Sequence, residues 1–221
     1  MHTLELADRT HCPGCRAAAV APCFATPFAQ DPVRAFLVEF YEGRLDVGSL
    51  TGDFSLVDCP ACGLLYQLRV PTAAAVPGLY EHVVESERDD VEQRQGSTVR
   101  EGALLDLGRT VRRSGRPARQ VDVLDYGAGT GLWLDVAAEV GCGTTGAEID
   151  PAARARLSAA GHATVDHDDL PASAFDLVNL EQVLEHVLDP LEVMERVAGA
   201  VRPDGLVRVC VPNGAGVRDL L

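Results

Sequence analysis

The sequence predicts an α/β fold, a parallel sheet with helices on both faces, preceded by a small module built on paired cysteines. Three observations predict it. An alternating apolar run ending at Leu124 enters the glycine-rich turn Asp125-Tyr126-Gly127-Ala128-Gly129-Thr130-Gly131, and the chain leaves it in the helix-periodic Leu132-Trp133-Leu134-Asp135-Val136-Ala137-Ala138. Strand and helix patterns then alternate, as they do where a parallel sheet carries helices on both sides. Ahead of them, Cys12-Pro13-Gly14-Cys15 and Cys59-Pro60-Ala61-Cys62 share one C-P-x-C form. The expected divisions are 1–70 for the cysteine module, 71–117 for a connector and packing helix, and 118–221 for the α/β domain.

Composition narrows the partners. With 221 residues and 47% apolar content the chain can bury one good core and a small satellite. Its formal charge is −14, and all 19 basic residues are arginine. So anionic a surface disfavours nucleic acid as a partner. The absence of lysine excludes a pyridoxal Schiff base and a Walker A phosphate loop. Glu5, Asp8 and Arg9 stand where a signal peptide would be basic and then apolar. No span approaches the roughly 18 apolar residues of a membrane helix, so the expectation is a cytoplasmic protein with no membrane partner.

Seven cysteines in a reducing compartment point to metal or burial rather than disulfides. Each C-x-x-C turn places two thiolates on one side of a tight loop, and two such turns complete a tetrahedral zinc shell. Cys12, Cys15, Cys59 and Cys62 are therefore the expected metal ligands of a zinc-ribbon-like module. With four thiolates the ion would be structural, because no coordination position stays open. The 43 residues between Cys15 and Cys59 exceed the usual spacing of about 15–20, so a segment must loop out, with Val33–Leu45 expected as one helix within it. Four buried thiols or a redox C-x-x-C are the alternatives. Cys23, Cys142 and Cys210 are expected in the core.

In the connector, Tyr80 and His82 are placed near a cleft or, more plainly, as an anchoring ring and a surface imidazole. Glu81 to Glu92 reads as a solvated acidic run. Val99, Ala103, Leu104, Leu107 and Val111 have helical spacing and predict a helix over Val99–Arg113, packing across the sheet edge.

Beyond the glycine turn the expected elements are a strand over Gly143–Ile149, a helix capped by Asp150-Pro151, a short strand over Ala163–Val165 and a strand over Phe175–Leu180. A helix from Asp189-Pro190 to about Val201 follows, then a turn at Arg202-Pro203-Asp204-Gly205 into a strand over Leu206–Val211. Loops at the carboxyl ends of such strands face a ligand. Alternate glycines at 127, 129 and 131 remove side chains from one side of the turn, so a ligand can approach the amides at the helix N-terminus. Glu148 ends the second strand, where a carboxylate can accept both hydroxyls of a ribose. A nicotinamide fingerprint needs its third glycine where Leu132 stands, which disfavours an oxidoreductase.

The stretch Val121–Gly131 resembles motif I of the class I S-adenosylmethionine (SAM) dependent methyltransferases, hydrophobic-hydrophobic-D/E-x-G-x-G-x-G, with Asp125 at the acidic position. Phe175 to Pro190 is similar to the F-D-x-V-x-x-x-x-V-L-E-H-V-x-D-P segment of small-molecule members, and Arg202-Pro203-Asp204-Gly205 stands where L-R-P-G-G is usual. Cys59 to Tyr66, with Pro71 and Leu79-Tyr80, resembles a stretch of members carrying an N-terminal zinc-binding domain, sugar C-methyltransferases among them. The resemblance implies a Rossmann-like domain holding SAM. Asp125 would take the methionine ammonium, Gly127, Gly129 and Gly131 the backbone side, and Glu148 the ribose. Asp166 would take the adenine amino group beside His167, with Asp168 or Asp169 as neighbouring alternatives. Glu181 and Gln182 would line the methionine end.

Methyl transfer from a sulfonium mainly needs positioning, with a base only where the acceptor loses a proton. His186 is the expected base and Glu185 its orienting partner; a structural or cofactor-contacting pair is the alternative. The expected acceptor is a small molecule: a sugar, nucleotide sugar or natural-product intermediate. Family members usually add a helix and an antiparallel hairpin after the fifth strand, whereas the sequence ends ten residues past Val211. The expectation is an edge left uncovered by a C-terminally truncated sequence or by a fold trimmed to five strands, or closed by another chain in an oligomer. A vestigial SAM-binding protein recruiting partners through its zinc module is the competing function.

Overall fold

The computed structural model describes residues 3–79, 97–214 and 216–220. These fall into two compact units, the described residues of Met1–Asp90 with Gly216–Leu221, and those of Val91–Ala215. Tyr80, His82 and the acidic run over 81–92 lie outside the described residues.

In the first unit, β1 (Leu6–Asp8) pairs antiparallel with β5 (Arg69–Pro71), while β2 (Phe24–Pro27), β3 (Asp53–Asp58) and β4 (Leu65–Gln67) form an antiparallel sheet. Helix α1 spans Val33–Phe40 and α2 Val76–Leu79. The helix expected to reach Leu45 stops at Phe40, because Glu42 and Gly43 turn to φ 47° and 75°. Leu45 instead joins Phe28, Val47 and Leu50 in a small core, against which α1 packs its partly buried Val33 and Leu37 without burying any residue fully.

In the second unit, α3 (Ser97–Arg113) is followed by β6 (Asp122–Tyr126), α4 (Leu132–Val140), β7 (Gly143–Glu148), α5 (Pro151–Ala159) and β8 (Ala163–Asp166). Strand β9 (Phe175–Glu181), α6 (Pro190–Ala200) and β10 (Val201–Cys210) complete it. The five strands run parallel in the order β10-β9-β6-β7-β8. Chain order therefore reverses direction between β6 and β9, the switch point where open α/β sheets bind ligands.

Alternation along the strands builds two cores. Val121, Val123 and Leu177 face α3 and α4 through Ala103, Leu107, Val111, Val136 and Ala137. Leu124, Tyr126, Val178 and Leu180 pack on the other side against Val193, Val197 and Ala200 of α6. Helix α3 thus lies on a face over central strands, a correction to the expected edge position, and its Val99 and Leu104 are exposed. The caps read from sequence are present. Asp150 accepts the N–H groups of Ala152 and Ala153, and Asp189 that of Glu192. Arg202-Pro203-Asp204-Gly205 lies inside β10 as a break in its register with β9, with Asp204 at φ 65°. Of the three unpaired cysteines none is fully buried: Cys23 is exposed and Cys210 half-buried, while the half-buried Cys142 packs against the core under α3 and α4. Strand β10 pairs only with β9 among the described residues.

Candidate functional site

The carboxyl ends of β6 and β7 meet at the glycine turn. Glu148 is buried at the end of β7, and its Oε2 accepts the Gly129 N–H at 2.9 Å. Its Oε1 accepts the N–H groups of Ile149 (2.8 Å) and Asp150 (3.3 Å). The carboxylate thus fixes the tip of the turn; Oε1 is filled by its two donors, and Oε2 keeps acceptor capacity for one more.

The three glycines serve different ends. A Cβ on Gly131 would lie 2.7 Å from Leu157 Cδ2, and one on Gly127 would lie 2.9 Å from Val183 Cγ2. Their φ values of 88° and 75° also disfavour any side chain. Packing against α5 and the segment after β9 explains these two, in place of the expected common ligand-facing side. Gly129 alone faces open space: a Cβ there would meet only the Gly127 carbonyl oxygen, at 4.0 Å.

Asp125 lies beneath this turn, buried, and Asn179 Nδ2 donates to its Oδ1 at 2.8 Å. Burial pushes its pKa up to about 7, against the lowering effect of the Asn179 bond. Asn179 sits opposite Asp125 in register, and Arg208 opposite Asn179. Arg208 Nη1 donates to Asn179 Oδ1 at 2.8 Å and also bonds Glu181, and its guanidinium lies 4.2 Å from the centre of the Trp133 ring. A polar row thus crosses three strands on one face. The sequence reading included Asp125 and Glu181 but missed Asn179, Arg208 and Trp133. The alternation that puts Leu177, Asn179 and Glu181 on one face with Asp125 was the available signal.

The remaining candidates are spread around the same strand ends. Asp166 Oδ2 accepts from Arg154 at 3.0 Å, and its Oδ1 lies 3.2 Å from His167 Nδ1. The Asp168 N–H on Asp166, with Arg154 and His167, holds that carboxyl below its usual range. Asp168 pairs with Arg196 at 2.9 Å. Gln182 adopts φ 54°, and its backbone N–H bonds the Cys210 carbonyl, so it is tied to the β10 side. His186 is largely exposed, with Nε2 4.0 Å from Glu185 Oε1. That is an ion-pair separation, too long for the hydrogen bond by which one group orients another.

In the first unit the four expected ligands converge. The sulfurs of Cys12, Cys15, Cys59 and Cys62 all lie within 4.8 Å of one another, with Cys12 to Cys62 at 3.7 Å and Cys15 to Cys59 at 3.6 Å. A tetrahedral zinc with Zn–S bonds near 2.3 Å has sulfur–sulfur edges of about 3.8 Å, so the quartet has the dimensions of such a shell. The N–H of Cys62, with that of Ala61, draws the Cys59 thiol down to about 7. The Leu64 N–H also lowers Cys62, yet the Cys15 sulfur and burial push it up to about 12. If all four were ionised, their mutual repulsion would have to be offset by a cation. A second close group, Asp166, His167 and Asp168, is solvent-facing and already paired with Arg154 and Arg196.

Residues 97–220 match the model of the methyltransferase domain family, more than half of the chain, and the chain belongs to that family. Among curated proteins it is similar to the ubiquinone biosynthesis O-methyltransferase of Rhizobium leguminosarum bv. trifolii, 35% identical over 127 residues, covering 52% of this chain and 49% of that protein. The protein of the same name from Vibrio campbellii is 35% identical over 96 residues, covering 38% and 41%. The chain spans about half the length of the curated relatives it matches. Among solved structures, a SAM-dependent methyltransferase from Mesorhizobium loti is 27% identical with a TM-score of 0.37, covering 43% of this chain and 49% of that one. One from Archaeoglobus fulgidus is 21% identical with a TM-score of 0.42, covering 52% and 54%. No helix among the described residues is long and apolar enough to cross a membrane.

Proposed function

We propose that the second unit binds SAM at the β6–β7 turn and transfers its methyl group to a hydroxyl of a small-molecule acceptor. The observation that carries the reading is Glu148, whose carboxylate is held at the tip of the glycine turn with an acceptor position left on Oε2 for a ribose hydroxyl. Gly129 supplies the open backbone beside it, and Asp125 the carboxylate for the methionine ammonium. Asp166 or Asp168 would meet the adenine amino group once released in part from Arg154 or Arg196.

SAM supplies an activated methyl carbon. In an in-line displacement the sulfur–carbon bond breaks as the oxygen–carbon bond forms, and the acceptor proton must leave. His186, exposed on the segment after β9, is the candidate to accept it, with Glu185 available to pair with the imidazolium that results. Similarity to O-methyltransferases favours an oxygen acceptor over the sugar carbon suggested by the cysteine-module resemblance. The cysteine quartet is proposed as a structural zinc site, with no position left for catalysis.

The test is calorimetric titration of the zinc-replete chain with S-adenosylhomocysteine, against Glu148→Ala and His186→Ala. Glu148→Ala is expected to weaken binding at least tenfold and His186→Ala to leave it unchanged. A folded chain without measurable affinity would overturn the reading in favour of a partner-binding role for the cysteine module.

A further inference from the structure

A cleft of about 250 Å³ opens between α3 and β10, lined by Asp106, Arg109, Thr110, Arg113 and Arg208. Arg109 and Arg113 are one helical turn apart and present two guanidiniums from one helix face. Arg208 supplies a third from the sheet. Asp106 is the sole carboxylate in the lining, 3.4 Å from both Arg109 and Arg208. Glu181 neutralises Arg208 from behind. The Arg113 side chain has neither hydrogen bond nor ion pair among the described residues. Three arginines against two carboxylates leave the cleft cationic, on a chain whose formal charge is −14. Repulsion from the rest of the surface would keep anions away from most of this chain, so local excess positive charge stands out as a binding feature.

We propose that this cleft binds the phosphate group of a small phosphorylated molecule. Guanidinium forks that converge from two elements suit a tetrahedral oxyanion, which can engage several donors in different planes. A carboxylate holds its lone pairs in one plane and suits a single coplanar fork best. A water molecule in the liquid occupies about 30 Å³, so the cleft has room for a phosphate and part of the group that carries it. The proposal does not rest on SAM binding, although Arg208 ties the cleft to the polar row: an anion drawing on Arg208 acts on Asn179 and through it on Asp125. It also acts on Trp133, the one tryptophan of the chain, which lies under the same guanidinium.

That contact provides the readout. Inorganic phosphate is titrated into the full chain at constant ionic strength while Trp133 fluorescence is followed, with phosphorus NMR line broadening as a second signal. The native chain is expected to saturate at millimolar phosphate. Arg113→Gln and Arg109→Gln, both exposed positions on α3, should weaken binding at least tenfold with unchanged circular dichroism and melting temperature. Malonate should bind at least tenfold more weakly than phosphate. The proposal is overturned if neither signal saturates, if both variants bind as the native chain does, or if malonate matches phosphate. S-adenosylhomocysteine affinity, measured separately, is not expected to change in either variant, so failure here is distinguishable from failure of the cofactor site.

Discussion

Glu148 Oε2 accepts the N–H of Gly129, a bond across the carboxyl ends of two neighbouring strands that ties the open point of the glycine turn to β7. Glu148→Gln keeps the size of the side chain but offers one acceptor oxygen where three backbone N–H groups converge. We expect S-adenosylhomocysteine affinity to fall in both Glu148→Gln and Glu148→Ala, by about 1.4 kcal/mol or more in the alanine variant. Equal affinity of the alanine variant and the native chain, by calorimetry, would remove Glu148 from the site.

Asp125 gives the domain a pH dependence. Its folded pKa of about 7 lies above the ordinary carboxylate value of 3.8, so between these values the folded chain binds more protons than the unfolded one. The stability contributed by protonated Asp125 is full below the unfolded pKa, declines as pH rises through the window, and is gone above about 7. The loss is at most about 4 kcal/mol. Asp125→Asn should flatten this part of a denaturant-midpoint profile between pH 4.5 and 7.5. If Asp125 holds the methionine ammonium, ligand binding favours its ionised form. S-adenosylhomocysteine affinity should then rise with pH up to about 7 and level off, and an affinity flat across that range would contradict the assignment.

Gly131→Ala combines a strained φ of 88° with a Cβ 2.7 Å from Leu157 Cδ2. A loss of about 1–3 kcal/mol is expected in chemical denaturation. Gly129→Ala, with no such neighbour, should cost less stability and more ligand affinity. Reversal of that order would mean that packing does not explain the outer glycine.

Removing metal tests the cysteine quartet. Purified protein is expected to carry one zinc per chain by atomic emission, and Cys59→Ser should lower that content. Chelation should abolish an early thermal transition belonging to the first unit, since structural zinc contributes on the order of 10 kcal/mol to folding of small modules. S-adenosylhomocysteine binding should survive it. Metal-free protein with an unaltered melting profile would mean that the four sulfurs pack as thiols.

Much of this was legible from periodicity and punctuation. The strand ending at Leu124, the Asp150 and Asp189 caps and the C-P-x-C pairs carry their physics locally, in the residue types themselves. The end of α1 was not legible: the apolar spacing of Val33 to Leu45 continues past the point where Glu42 and Gly43 turn left-handed, because Leu45 packs in a core that local sequence does not reveal. The glycine turn was read correctly as a turn but not for its reasons, since Val183 and Leu157 reach Gly127 and Gly131 from distant elements. Arg208 was missed for the same cause. Its meaning lies in lateral register with Asn179, a relation between strands rather than along one.

The strand made first in this sheet, β6, ends up in its middle, with β7 and β8 on one side and β9 and β10 on the other. During synthesis β6 to β8 can pair as soon as they emerge, and until β9 arrives the Asp125 carboxyl has no Asn179 to receive. The hydrogen bond between them is therefore a stitch across two halves of the sheet that become available in succession. A chain arrested before residue 175 would carry an unpaired flank of β6 with a protonatable acid at its end. Pairing with β9 closes that flank, its Asn179 amide delivers Asp125 to its row in the same step, and β10 then adds at the outer edge.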